Sequence, residues 1–260
     1  MIEKFGIKAK SVAAVVAAAM IGGAVLCGGA SAAEKMDGHP DLSGVWVVFQ
    51  NDRMGNRGMP MGAKLNEHGK KMVEDFKAKY DLSNLEPGAY CVPGGMPTEM
   101  FGGGSYPFEI IQQPKRITLL NELEMQVRRM YMDGRDHPKD FPHTRGGHSV
   151  AHWDGDTLVV DTALIKSWPI GGWPHSDDLH IVERISLKNK SDVKITTTGF
   201  LGGKLSDIIM VDEMTLTDPV MYDGPQKITV FARKLDQKET LEYDCTEGNW
   251  WTAVEATEKK

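Results

Sequence analysis

Several features that identify common enzyme classes are missing from this 260-residue chain. It contains no phosphate-cradling glycine loop, no dinucleotide fingerprint, no haem-attachment motif and no Gly-x-Ser-x-Gly nucleophile elbow. It has no block of basic residues, and its formal net charge is −6, which argues against nucleic acid or an anionic membrane as partners. Any chemistry is therefore expected to come from the chain's own side chains, without a cofactor.

Long hydrophobic runs are also scarce, and the longest lies at the start of the chain. Residues 1–32 combine a basic beginning, an apolar stretch from about Val12 to Leu26, and small residues at Ala30 to Ala32. This is the pattern of a cleaved signal peptide, and the stretch is shorter than the roughly 20 residues of a membrane-spanning helix. We expect a periplasmic or secreted protein of one domain, residues 33–260, without a stable membrane anchor once the leader is cleaved.

Cysteine is rare, with three in the whole chain. Removal of the leader leaves Cys91 and Cys245. In an oxidising compartment, two remaining cysteines most simply form one disulfide, and the alternative is a pair of buried thiols.

Most of the chain after residue 107 has the alternating pattern of β-strands. One amphipathic helix is predicted over 64–80, although Gly69 weakens it, and a long Gly/Pro-rich loop over 87–107. Strands are predicted over 44–49, 108–112, 116–121, 125–132, 148–153, 157–164, 179–187, 193–200, 208–217, 227–235 and 240–245. Mostly sequential hairpins predict a mainly β protein, an antiparallel lipocalin-like (calycin-like) barrel or a sandwich.

Ionisable residues are concentrated in two segments, 145–161 and 173–184. Alternation along a strand places His148 and His152 on one face, and we favour a function for His148 because it follows Gly146 and Gly147. Asp161 follows two valines and Glu183 lies between two isoleucines, so both carboxylates are expected on apolar faces. Such a carboxylate must be paired with an arginine or have a raised pKa suited to proton transfer, and both alternatives stay open.

Further candidates surround these strands. His175 is predicted in a loop over the barrel mouth and His180 on the strand that carries Glu183, whereas His137 and His143 are expected to be solvent-exposed. One of two consecutive arginines should face inward and counter Glu183 or Asp161, or bind an anionic substrate. The predicted substrate-binding residues are Arg128, Arg129, Tyr131, Ser149, Trp153, Trp168 and Arg184.

A metal site is an alternative use of the histidines and methionines. Eight histidines, together with the pairs Met59/Met61 and Met130/Met132, would suit copper in an exported protein. The spacings His148 to His152 and His175 to His180 fall on strand or loop, where they do not define a zinc motif. No metal ligand is assigned.

Five motifs follow one another along the chain: Asp41 to Trp46, Pro107 to Gln112, Arg128 to Arg135, Gly147 to Thr162 and Pro174 to Arg184. Together they resemble a large family of uncharacterised exported proteins of proteobacteria and acidobacteria. The resemblance covers nearly the whole chain after the leader, and differs around Lys166 to Trp168, where the family is usually Asn-rich. It implies no mechanism, because the group has no established activity.

The leading hypothesis is an exported barrel that acts on a small organic molecule by cofactor-free acid–base chemistry, as a lyase, hydratase, isomerase or hydrolase. Its acid–base residues would come from His148, Asp161, His175, His180 and Glu183. The first alternative is a non-catalytic carrier of a small molecule. The second is a periplasmic copper- or zinc-binding protein.

Overall fold

The computed structural model describes residues 35–53, 62–83, 85, 87–101, 106–195, 205–243 and 250–259. The described residues belong to one compact unit. The expected signal peptide, residues 1–32, and Cys245 lie outside them, so the leader and the disulfide to Cys91 stay predictions.

The described chain is mainly β. Its strands are β1 (Lys35–Met36), β2 (His39–Pro40), β3 (Gly44–Asn51), β4 (Phe108–Gln113), β5 (Arg116–Asn121), β6 (Val127–Tyr131), β7 (His148–Asp154), β8 (Thr157–Ala163), β9 (His180–Asn189), β10 (Ile208–Thr217) and β11 (Gln226–Lys234). Its α-helices are α1 (Glu67–Lys79) and α2 (Trp250–Glu255), and 3₁₀ turns cover Pro87–Tyr90, Thr98–Phe101, Leu123–Met125 and Lys190–Asp192.

Nine of these strands close into a barrel in the order β10, β11, β3, β4, β5, β6, β7, β8, β9, with β9 pairing back to β10. The predicted fold class is confirmed, and of its two forms the barrel is correct. β1 and β2 form a separate two-stranded ribbon.

The barrel interior is filled by side chains. Alternate residues of each strand point inward, because successive side chains of a strand face opposite sides of the sheet. The resulting core cluster includes Trp46, Phe108, Leu119, Leu158 and Ile181. Met96, Met100 and Phe101 from the Gly/Pro-rich segment join the same cluster.

One pair of barrel strands departs from the predicted antiparallel order. β6 and β7 run parallel, with Met130 opposite Ser149 and Tyr131 opposite Val150. A parallel pair needs a crossover, so residues 132–147 return to the end of the barrel at which β6 began. We call residues 132–147 the crossover loop.

Helix α1 is confirmed, with narrower bounds than predicted. The side chain of Asn66 caps its first turn by accepting a hydrogen bond of 2.7 Å from the backbone N–H of Gly69. A Cβ atom at residue 69 would lie 2.4 Å from the carbonyl oxygen of Met221. Gly69, which weakens the helix prediction, is therefore the residue that lets α1 lie close to the backbone at Met221.

Two predicted strands are absent from the described parts of their ranges. Val193 and Ile195 pack on the outside of the barrel against Phe49, Ile209 and Val211, so their apolar character serves this packing instead of a strand ladder. Residues 196–200 and 244–245 of the two predicted strands lie outside the described residues.

In the other range, residues 240–243, the backbone N–H groups do not pair with a neighbouring strand. Leu241 N–H donates to the carboxylate of Glu122 at 2.8 Å, and its side chain is exposed. Hydrogen bonding to a side chain replaces the ladder that the alternating pattern had predicted.

Candidate functional site

A buried ion pair crosses the interior of the barrel. Glu183 points inward from β9, as its position between two isoleucines predicts, and Arg128 points inward from β6. The guanidinium forms two hydrogen bonds to the carboxylate, Nη1 to Oε1 at 2.9 Å and Nη2 to Oε2. It also donates from Nε to the hydroxyl of Ser149 at 3.1 Å and from Nη2 to that of Thr162 at 2.8 Å. Of the two alternatives for Glu183, the arginine pair is the one observed.

Two further carboxyl groups lie near this ion pair. Asp212 and Glu99 are both buried, and three of their four carboxyl oxygens have no hydrogen-bond partner among the described residues. Burial, followed by the charge of Glu183, raises the pKa of Asp212 well above its usual range. Burial also raises the pKa of Glu99 to about 7, with the charge of Arg128 opposing the change. One guanidinium therefore faces three carboxyl groups, which we call together the interior cluster: Arg128, Glu183, Asp212 and Glu99.

The raised pKa of Glu99 gives a pH-dependent stability prediction. When a carboxyl group has a higher pKa in the folded protein than in the unfolded chain, the protein loses stability as the pH rises. The loss begins near the ordinary pKa of the group and is complete above its pKa in the folded state. Since a pKa unit corresponds to about 1.4 kcal/mol, Glu99→Gln should raise the free energy of unfolding by about 3 kcal/mol at pH 8. At pH 5, just above the ordinary pKa of a glutamate, the gain should be at most about 1 kcal/mol. Urea unfolding at the two pH values measures the difference, with the exposed Glu239→Gln as control. A gain of equal size at both pH values would contradict the prediction.

A second polar group lies on the outer face of β7, β8 and β9. His148 Nδ1 is 2.9 Å from His137 Nδ1, and His137 Nε2 is 3.1 Å from Asp161 Oδ1. Asp161 Oδ1 also lies 2.6 Å from His180 Nε2. Three of the five predicted catalytic residues thus meet, together with a histidine that was expected to face solvent. We call His148, His137, Asp161 and His180 the histidine relay.

Asp161 is placed on the face opposite to the one predicted. Its side chain is 41% exposed, whereas its neighbours Val160 and Thr162 point into the barrel. The two valines before it lie on different faces, so they do not define an apolar surface for it. His137 reaches Asp161 because the crossover loop passes over this part of the sheet.

With Asp161 ionised and both imidazole rings neutral, the hydrogen bonds allow one set of proton positions along the relay. An ionised Asp161 accepts hydrogen bonds, so neutral His137 donates from Nε2 and its Nδ1 carries a lone pair. His148 must then donate from Nδ1 to that lone pair, which leaves His148 Nε2 as an acceptor. Among the described residues Nε2 of His148 has no hydrogen-bond partner. In this tautomer, Nε2 of His148 carries the lone pair of the ring.

The pKa shifts agree with this arrangement. Burial is the largest cause that lowers the pKa of His148 below its ordinary value, and the positive charge of Arg135 acts in the same direction, so the ring stays neutral near neutral pH. Burial acts to raise the pKa of Asp161, but hydrogen bonds from His180 and His137 outweigh it and lower that pKa. The hydrogen bond to Asp161 raises the pKa of His180. The relay therefore combines a neutral His148 with an ionised Asp161.

His148 lines a surface pocket of about 320 Å³. The ring of Tyr131 stacks on the His148 ring at 5.2 Å between centroids, and Phe141 approaches it edge-on at 5.9 Å. Gly147, at φ +66°, lets the chain turn into β7, where a Cβ would lie 2.7 Å from the carbonyl oxygen of Ala163. This His148 pocket is lined by Val127, Arg128, Arg129, Tyr131, Phe141, Thr144, Gly146, Gly147 and His148.

His175 lies apart from the relay and has a structural role. It is buried, with Nδ1 2.8 Å from the carbonyl oxygen of Trp173 and Nε2 3.2 Å from that of Lys166. Both ring nitrogens thus face backbone acceptors, and burial lowers the pKa of the ring. The expectation that this histidine reaches over a barrel mouth as an acid or base is wrong.

The predicted substrate-binding residues are divided between several places. Arg129 and Tyr131 line the His148 pocket, whereas Ser149 belongs to the interior. The other three lie elsewhere. The ring of Trp153 stacks on that of His39, with 4.7 Å between centroids, and Arg184 forms a surface ion pair with Asp154 at 2.8 Å. Trp168 packs against Arg145 and lines a different cleft of about 460 Å³.

Three site residues were missed from the sequence. Asp212 was within reach, since it alternates with Met210 and Met214 on the inward face of β10. Glu99 lies in the irregular Gly/Pro-rich segment and His137 in the crossover loop, and neither position has a periodic pattern that indicates its neighbours.

The metal alternative gains no support within the described ranges. There, no group of three or more His, Cys, Asp or Glu side chains is arranged to hold a metal ion. Met59 and Met61 lie outside those ranges. In the described part of the chain, no helix is both long enough and apolar enough to cross a membrane.

Comparison with solved structures finds chains that are similar to this one, and one of them is described here. The chain is similar to a zebrafish ileal bile acid-binding protein crystallised with cholic acid, with 13% identity, a TM-score of 0.32, and coverage of 74% of this chain and 98% of the other. No family model and no curated protein matches the chain.

Proposed function

We propose that the protein binds a small organic molecule in the His148 pocket and removes a proton from it, with His148 as the general base. The observation that supports this most directly is the relay of hydrogen bonds from Asp161 through His137 to His148. It orients the ring of a residue that lines a cavity, and Nε2 is the nitrogen of that ring that the relay does not use. General bases must lie within hydrogen-bond reach of the proton they take, and a pocket wall satisfies that requirement.

The proton movement can be followed atom by atom. His148 Nε2 takes the substrate proton, and the electron pair of the broken bond stays on the substrate. The Nδ1 proton of His148 can then pass to Nδ1 of His137, which returns His148 to its neutral state. Asp161 stabilises the positive charge that His137 acquires. The substrate would be a compound with a proton acidified by a neighbouring carbonyl group.

The second candidate is a carrier that uses the same pocket without chemistry. It is favoured by the aromatic walls of the pocket, Tyr131 and Phe141, which would hold a flat ligand without taking part in proton transfer. Whichever applies, we propose export to the periplasm or beyond, on the basis of the leader pattern in residues 1–32.

Proton–deuteron exchange distinguishes these functions. The purified protein, incubated in D₂O with a panel of small carbonyl compounds, should catalyse saturable exchange of the acidified C–H of one class, followed by NMR. Imidazole at the same concentration serves as the control for an unpositioned base. Saturable binding without exchange would support the carrier. The panel also includes any compounds that co-purify with the protein, and if no member of it binds or exchanges, both functions are contradicted.

A further inference from the structure

A second cavity adjoins the His148 pocket and has a different electrostatic character. It is a shallow groove of about 540 Å³ at the turn between β4 and β5. We call it the basic groove, and it is lined by Gln113, Pro114, Lys115, Arg116, Tyr131, Asp133 and Arg135.

The positive charges of this groove are not balanced. Asp133 is the single acidic residue of its lining and is already paired with Arg135, whose Nε lies 2.8 Å from Asp133 Oδ1. Within the part of the chain that the structure describes, Lys115 and Arg116 form no ion pair. Two uncompensated cations therefore lie side by side on a chain whose formal net charge is −6.

Tyr131 connects the groove to the histidine relay. It lines both cavities and lies opposite Arg116 in the pairing of β5 with β6. One side of its ring stacks on His148, and the guanidinium carbon of Arg135 lies 4.0 Å from its centroid. A ligand that crosses Tyr131 would thus contact the cations of the groove at one end and the relay at the other.

We infer that the substrate is a small organic anion, whose anionic oxygen group binds Lys115 and Arg116 while its reacting carbon lies at His148. This deepens the proposed function and rests on it. A guanidinium beside an ammonium recognises carboxylate and phosphate oxygens alike, through charge-assisted hydrogen bonds.

Binding of matched probes tests the inference. Benzoate, phenyl phosphate, inorganic phosphate and neutral benzamide are titrated into isotope-labelled protein, and the ring signals of Tyr131 and His148 are followed by NMR. Benzoate or phenyl phosphate should shift both rings and bind at least about tenfold more tightly than benzamide, a difference equivalent to one charge-assisted hydrogen bond. Whether benzoate or phenyl phosphate binds more tightly shows whether the groove prefers a carboxylate or a phosphate group.

The double variant Lys115→Gln/Arg116→Gln should lose that preference. Its matched control is Lys188→Gln/Lys227→Gln, which removes the same charge from two exposed positions on β9 and β11. The inference is overturned if the groove variant and the control bind benzoate equally well, or if inorganic phosphate binds as tightly as the organic anions.

The two proposals fail in different ways. If exchange in D₂O is absent from every variant while organic anions still bind through Lys115 and Arg116, the groove assignment stands and the base function is wrong. If exchange occurs and is unchanged in the groove variant, with neutral compounds as the preferred substrates, His148 stands as the base and the anionic substrate is wrong.

Discussion

Replacing Arg128 with methionine is expected to lower the free energy of unfolding by about 3–5 kcal/mol, the cost typical of breaking a buried ion pair. The guanidinium lies within the barrel and donates hydrogen bonds to Glu183, Ser149 and Thr162. Its removal leaves the Glu183 carboxylate without a counter-charge, close to two other buried carboxyl groups. Urea unfolding at pH 7.5 measures the effect.

Two controls show whether the destabilisation comes from breaking the buried ion pair or from removing an arginine in general. Arg184→Met removes an arginine that pairs with Asp154 on the surface, where such pairs contribute about 0–1 kcal/mol. The double variant Arg128→Met/Glu183→Met removes both charges, and should recover much of the lost stability. The loss in Arg128→Met should also shrink at pH 5, because the remaining carboxyl groups then accept protons more readily. Equal losses in Arg128→Met and Arg184→Met would show that the interior pair is not what stabilises this region.

Replacing His148 with glutamine should reduce the exchange rate by about 10²–10⁴-fold, the usual contribution of a positioned general base. The amide can occupy the space of the ring but cannot accept a proton near neutral pH. Ligand affinity should change far less than the rate, because the walls of the pocket remain. His152→Gln is the matched control, since that histidine lies on the same strand and is exposed.

Asp161→Asn completes the test of the relay. An amide cannot stabilise a positive charge on His137 as a carboxylate does, so the rate should fall while binding is retained. If His148→Gln loses activity and Asp161→Asn does not, His148 acts alone and the hydrogen-bonded chain behind it has only a structural role. If both variants retain the wild-type rate, the base lies elsewhere.

Much of the barrel could be predicted because apolar and polar residues alternate within its individual strands. Gly155 lies between β7 and β8, and the residues on either side alternate between apolar and polar, so this hairpin is visible in the sequence. The same alternation placed Glu183 inside. It failed for Asp161, because a run of apolar residues such as Val159 and Val160 occupies both faces and does not indicate which one is buried.

The relay could be predicted only in part, because it is assembled by a crossover. His148, Asp161 and His180 come from three neighbouring strands and share one face, which the period of two allows. His137 joins them from the crossover loop, whose path depends on β6 and β7 being parallel. Nothing in residues 132–147 indicates that pairing, since a parallel partner is chosen by the whole barrel and not by the local sequence.

The pairing of β3 with β11 has a consequence for how the molecule reaches its final shape. Val48 lies opposite Ala232, so one edge of β3 can pair only after β11, which is far away in the sequence, has been synthesised. Contacts between such distant positions form slowly, since a large loop must close first. Until then an apolar strand edge stays open to pairing with other molecules, which makes a chaperone for the newly made chain advantageous.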